Sequence, residues 1–255
     1  MTLPKDSIIG FLNKILKIDQ FKEDSSHNGL QIQHKQPITS VLLAVDASLR
    51  TLAAAKAAKA QLVLVHHGIS WNTSLATITG RNYQLVNGFL AAGIGLYAAH
   101  APLDAHPVYG NNAQIASLLG LHKQKPFGYY HTIMWGIKGE YTAPVPYALF
   151  LKQVKQITPT PLVKGNLGDS HSIRKVAIVS GGGGFAVQQA WEEGCDVLLT
   201  GEQSHQAVIA AQDLGIGIIF AGHYATERYG VLALGALLKK TFKVKTVFFA
   251  DDTGC

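Results

Sequence analysis

The chain has 255 residues, 47% hydrophobic and 15% charged, with a formal net charge of +6. That is enough for one large α/β domain or two modest ones, and it excludes a disordered chain. No apolar run reaches the roughly eighteen residues of a membrane helix, because Asp46, Lys56, Lys59 or a histidine pair interrupts each candidate. Two cysteines, Cys195 and Cys255, make neither a disulfide framework nor a cysteine-based zinc motif. A soluble cytoplasmic protein is expected. Divided at His122, each part carries +3, without a basic tail. The excess suits an anionic small molecule as well as nucleic acid, and the four lysines between 239 and 245 read as a solvated helix end. Lacking a motif and a concentrated basic patch, nucleic acid ranks last among partners.

The N-terminal MTLPKDSIIGFLNKIL reads as an amphipathic helix rather than a signal peptide, since Lys14 and Lys17 break its apolar run. From Val41, VLLAVDASLRTLAAAKAAKAQLVLVHHG reads as strand, turn, Ala-rich helix and second strand. From Val176, VAIVSGGGGFAVQQAWEEGCDVLLTGEQ repeats that pattern 135 residues on. A third strand repeats too: GIGLYAAH at 93–100 matches GIGIIFAGH at 215–223, which has one extra residue. Aligning their histidines sets His100 on His223 and Asp104 on Glu227 at an offset of 123. The twelve residues lost from the offset belong to the loop around ISWNTSLATITGRNYQ. In the middle segment, FGYYHTIMWGIKG reads as an antiparallel strand and PVPYALFLKQVKQI as a helix opened by prolines. The final strand, TVFFAD, suits either half. The fold class is therefore α/β: two related domains from an internal duplication, 1–122 and 123–255, with an antiparallel insertion at about 123–172 in the second.

Open α/β sheets bind ligands beyond the carboxyl ends of their strands. LVLV runs into His66-His67-Gly68, GLYAA ends at His100 with Asp104 four residues on, and GIIFAG leads to His223 with Glu227 four residues on. Histidine and carboxylate without cysteine suit Zn, Mn, Fe or similar divalent ions, and a carboxylate can bridge two of them. The pattern points to two divalent ions per chain, Glu227 bridging them and activating a bound water, and His66, His67, Asp104 and His223 as terminal ligands. His106, His122, His131 and His171 read as structural. His100 is either a ligand or a residue that orients one through a hydrogen bond. Glu202 and His205 either line the site, where a histidine can shuttle a proton, or belong to a helix N-terminus capped by Thr200 or Ser204.

A competing motif lies at SGGGGFAVQQA, where Gly181, Gly183 and Ala186 satisfy the loose spacing of a dinucleotide loop and Glu202 follows 21 residues on. Its repeat partner, VDASLRTLA, has no glycine. The Gly181–Gly184 loop is either a tight turn for close strand–helix packing or a backbone cradle for a substrate phosphate. No organic cofactor is assigned.

The segments NGLQI at 28–32, LVLVHHG, YAAHAPLDA, GNNAQIASLLGL, VAIVSGGGG, TGEQSHQ and GHYATERYG resemble the signatures of the Nif-three-like dinuclear metal-centre family. Its members are often called GTP cyclohydrolase type 2 homologues. The resemblance runs from Asn28 to Gly230. It implies two α/β domains with a dinuclear metal site in the cleft between them, and a toroidal homohexamer built from dimers. It maps ligands onto His66, His67, Asp104, His223 and Glu227, in a short member without the inserted domain of some relatives. The expected function is that of a metal-dependent hydrolase acting on a phosphorylated, nucleotide-like small molecule, with GTP cyclohydrolase-type ring opening by resemblance. The alternative is a non-catalytic metal-binding adaptor or metal-handling protein.

Overall fold

The computed structural model describes residues 5–158, 162–165, 167 and 171–254. The chain forms two compact units, Met1–Leu103 with Gly230–Asp251, and Asp104–Tyr229 with Asp252–Cys255. Each is an α/β unit built on one sheet, as the strand–helix repeats predict.

The first unit contains α1 (Lys5–Leu16), β1 (Gly29–Ile32), β2 (Ser40–Asp46), α2 (Leu49–Ala57), β3 (Leu62–His67), α3 (Gly80–Ala92) and β4 (Gly95–Ala98). A single turn, α4 (Ala101–Asp104), follows. The sheet order is β1-β4-β3-β2-β11, where β11 (Lys245–Phe248) is the predicted final strand. It pairs parallel to β2, which assigns it to this unit. Strands β2, β3 and β4 are parallel and β1 is antiparallel to β4. Because helices cover both faces, β2 and β3 are continuous apolar runs rather than alternating ones. Leu42, Val63, Val65 and Leu96 pack with Leu52 of α2 and Leu85 and Phe89 of α3. On the other face, Tyr97 donates its hydroxyl to Asn13 of α1 at 2.9 Å.

The second unit contains α5 (Asn111–Leu118), β5 (His122–Tyr130), β6 (Ile133–Pro146), α6 (Tyr147–Ile157), β7 (Leu162–Gly165), β8 (Ser172–Val179), α7 (Val187–Glu192), β9 (Val197–Thr200), α8 (His205–Leu214) and β10 (Gly217–Phe220). The order is β5-β6-β8-β9-β10-β7. FGYYHTIMWGIKG, read as one antiparallel strand, is instead broken by a turn at His131 and Thr132, both at positive φ, and contributes to both strands of the antiparallel β5–β6 hairpin. Pro146 opens α6, as read. Helices α5 and α6 cover one face and α7 and α8 the other. Since α5 packs on β6 and β8, the second unit begins at Asp104 rather than at the His122 division. The long α9 (His223–Phe242) begins in this unit, and its residues from Gly230 on belong to the first.

The repeat holds in topology. β4-β3-β2 and β10-β9-β8 are the same parallel triplet, with an antiparallel strand beside the third member of each, β1 on β4 and β7 on β10. The outer neighbours of β2 and β8 differ, parallel β11 in the first unit and antiparallel β6 in the second. Val41 pairs with Leu62 as Val176 pairs with Val197, which is the offset of 135. Leu62 pairs with Gly95 as Val197 pairs with Gly217, so the third strands correspond at 122. That register persists to Ala99 and Ala221, whose N–H groups donate to Val65 and Thr200. The extra residue of the second repeat therefore enters just after Ala221, where Gly222 takes φ +86°. No described helix is long and apolar enough to cross a membrane.

Candidate metal centre

In the first unit, parallel strands β3 and β4 end side by side, and this brings His66, His67 and His100 together. One ring nitrogen of each lies within 4.8 Å of the others. Every ring is oriented by an oxygen acting on Nδ1. The carbonyl of Ala99 lies 2.8 Å from His66 Nδ1. Asp46 Oδ1 lies 2.8 Å from His67 Nδ1, and Asp24 Oδ1 lies 2.9 Å from His100 Nδ1. A carbonyl only accepts, so the neutral His66 ring carries its proton on Nδ1 and its lone pair on Nε2. A carboxylate imposes the same tautomer on His67 and His100. Oxygen–histidine pairs of this kind orient imidazoles for metal binding.

Asp24 is the buried anchor. It also accepts from Asn28 Nδ2 at 2.7 Å, Ser26 N at 3.1 Å and Ala101 N at 3.0 Å. Burial pushes its carboxyl pKa upward, but the His100 bond and charge, with the Asn28 and Ser26 bonds, hold it below the ordinary range. Asn28 Oδ1 in turn accepts from His100 N at 2.7 Å. Neither Asp24 nor Asp46 stands out in the sequence by itself. The available signal was Asp46 at the end of β2, in parallel register with His67.

The second unit holds the carboxylates. His223 and Glu227 lie one turn apart at the start of α9, and His223 Nε2 is 2.7 Å from Glu227 Oε2. Glu202, just past β9, places Oε1 2.7 Å from His223 Nδ1. Burial lowers the His223 pKa, but the bonds and charges of Glu227 and Glu202 outweigh it, and the value is pushed up to about 9. The buried Asp104 offers a carboxylate oxygen within 4.8 Å of one from Glu227. Its Oδ1 accepts from Asn111 Nδ2 at 2.8 Å and Ser180 Oγ at 3.0 Å. His205 is the exposed first residue of α8, with Ser204 as the N-cap accepting from Ala207 N.

The Gly181–Gly184 loop packs beneath these groups. Gly181 has φ +60°, and a Cβ there would stand 2.1 Å from Glu227 Oε1. A Cβ on Gly183 would stand 2.4 Å from Val179 Cβ. The N–H of Gly181 donates to Thr226 Oγ1 and that of Gly183 to Thr200 Oγ1. Two donors that a phosphate cradle needs are thus used internally, and close packing accounts for these glycines.

The donor set of imidazoles and carboxylates without thiolate fits divalent Zn, Mn or Fe. A GTP cyclohydrolase 1 type 2 homolog of Pyrococcus horikoshii is 42% identical over 252 residues, which cover 99% of this chain and 100% of the relative. The Deinococcus radiodurans homolog of that name is 40% identical, over 98% of this chain and 94% of its own. Among solved structures, TTHA1606 from Thermus thermophilus matches with a TM-score of 0.90 at 31% identity, covering 99% of this chain and 100% of that one. Reduced HcgD from Methanocaldococcus jannaschii matches at 0.83 with 25% identity, covering 97% and 98%. The family described as Duf34/NIF3 (NGG1p interacting factor 3) matches residues 4–254, and the chain belongs to that family.

Proposed function

We propose that the protein is a metal-dependent hydrolase in which His66, His67, Asp104, His223 and Glu227 hold two divalent ions, with Glu227 between them. The observation that carries this reading is the cluster of three histidines whose Nδ1 atoms are all held by oxygen and which each bring one ring nitrogen within 4.8 Å of the others. Bound ions supply Lewis-acid polarisation and lower the pKa of a water ligand toward neutrality. The chain's own groups do the rest. Asp24 and Asp46 keep His100 and His67 in one tautomer. Glu202 orients His223, and a histidine of the site, His100 or His205, moves the proton. The His66–His67–His100 cluster supports a role for His100 as a further donor or as an aligning neighbour. The substrate class is a phosphorylated, nucleotide-like small molecule, in keeping with the relatives' name. The cytoplasm is the expected compartment, and a homohexamer the expected assembly.

The test begins with metals per chain by elemental analysis, on protein purified without tag or chelator. About two equivalents, falling sharply in His66→Ala and Glu227→Ala, is the expected result. No metal after adding back Zn, Mn and Fe overturns the reading. Glu227→Gln should then abolish metal-dependent turnover of nucleotides without unfolding the chain. Bound metal with no turnover in a broad screen would transfer the case to the metal-handling adaptor.

A further inference from the structure

A cavity of about 520 Å³ opens in the second unit beyond the carboxyl ends of parallel strands β9 and β10. This is where open α/β sheets receive ligands, and the volume suits a small molecule of nucleotide size. Phe220, Leu162 and Ile157 form an apolar wall, with Phe220 and Leu162 paired across β10 and β7. Glu202 also lines the cavity, and its carboxylate is the one that orients His223.

The charged groups of the cavity are not equivalent. The negative charge of Glu202 faces the His223 ring, and Asp252 Oδ1 accepts from Gly254 N at 2.9 Å. Arg228 also lines the cavity, next in sequence to Glu227. Its Nη2 donates to Ile157 O at 3.1 Å and to Tyr229 Oη at 3.3 Å, and the guanidinium stands 5.2 Å from the centre of the Tyr229 ring. Among the described residues no carboxylate pairs with it. A half-buried guanidinium held in place by neutral acceptors and an aromatic ring is a cation prepared for an external anion. Both bonds leave from Nη2, so Nε and Nη1 are the nitrogens with N–H groups to offer a ligand.

We propose that this cavity is the substrate-anion subsite, taking a phosphorylated small molecule of nucleoside monophosphate size with its phosphate against Arg228 and its planar portion along Phe220, Leu162 and Ile157. The proposal rests on the hydrolase reading, because Glu202 joins the cavity to His223. It names a specificity element that the ligand set does not contain.

The test is calorimetric titration of the full chain, metal-loaded and chelator-stripped, with guanosine monophosphate, guanosine and inorganic phosphate, with metals per chain measured in each sample. The monophosphate should bind more tightly than guanosine, and inorganic phosphate should compete with it. Arg228→Gln should weaken the monophosphate roughly ten- to a hundredfold without changing metal content. Arg228→Lys should recover part of the loss. Ala225→Phe, which adds bulk to the cavity wall one helical turn from Arg228, should weaken binding at an unchanged thermal midpoint. Equal affinity of wild type and both the Gln and Phe variants overturns the subsite, as does phosphate binding that depends on metal but not on Arg228. Arg228-dependent binding by a chain that never holds metal supports the subsite and sinks the hydrolase reading instead.

Discussion

Asp24 shows how much of a site can rest on a residue that is neither ligand nor nucleophile. Its side chain is fully buried, and four donors converge on its two oxygens. Ionised, it satisfies them all and keeps the His100 proton on Nδ1. Asparagine would turn an N–H toward donors on one side, so Asp24→Asn should cost about 3 kcal/mol and weaken metal binding roughly ten- to a hundredfold. Because the carboxyl is held below its usual range, its stabilisation is complete above about pH 4 and is lost as the pH falls through the folded-state value. The variant should lack that part of the acid transition. Urea titrations of the two proteins from pH 7 down to pH 3 measure both effects, and identical curves would remove Asp24 from the site. His100 was legible in the sequence because it ends a strand. Its partner was not, since 76 residues separate them and only the fold brings β1's approach loop to the end of β4.

At the level of elements, the sequence was most informative where repeat and hydrophobic pattern agreed. The unbroken apolar runs at 41–45 and 62–65 require burial on both faces, so parallel strands between helices follow from the residues themselves. What the sequence could not give was the point of divergence between the repeats. Aligning histidines gives an offset of 123, whereas backbone pairing fixes the third strands at 122. The difference is Gly222, whose N–H donates to Gly201 O before α9 starts. In the first repeat the position equivalent to Gly201 is His66; a Cβ at Gly201 would stand 2.9 Å from His223 Cα. The extra residue thus lets α9 begin close over the sheet, with His223 and Glu227 on its first turn, where the first unit instead keeps a histidine pair. Gly222 needs positive φ, so Gly222→Ala should destabilise the chain by about 1–2 kcal/mol. The denaturation midpoint should shift at an unchanged slope. An unaltered midpoint would show that α9 can start equally well from ordinary backbone.

For the molecule as a whole, the bonds of His223 couple folding, pH and metal. Held between Glu202 and Glu227, the imidazolium has a pKa of about 9 against 6.5 for the free side chain. A raised folded-state pKa gives stabilisation that is fully present below about 6.5 and is lost as the pH rises through about 9. Chelator-treated protein should therefore melt at progressively lower temperature across that interval. If His223 is a ligand as proposed, a divalent ion should reverse the trend, because ligation at Nε2 would displace the proton shared with Glu227. Metal binding should release protons, tighten as the pH rises, and raise the melting temperature most at the alkaline end. Melting curves at pH 6.5, 7.5, 8.5 and 9.5, with chelator and with saturating Zn or Mn, test both slopes at once. His223→Gln should flatten the chelator series and reduce the metal-induced shift. If the wild-type chelator series stays level while metal still stabilises, the ions bind without displacing a proton from His223, and His223 leaves the ligand set.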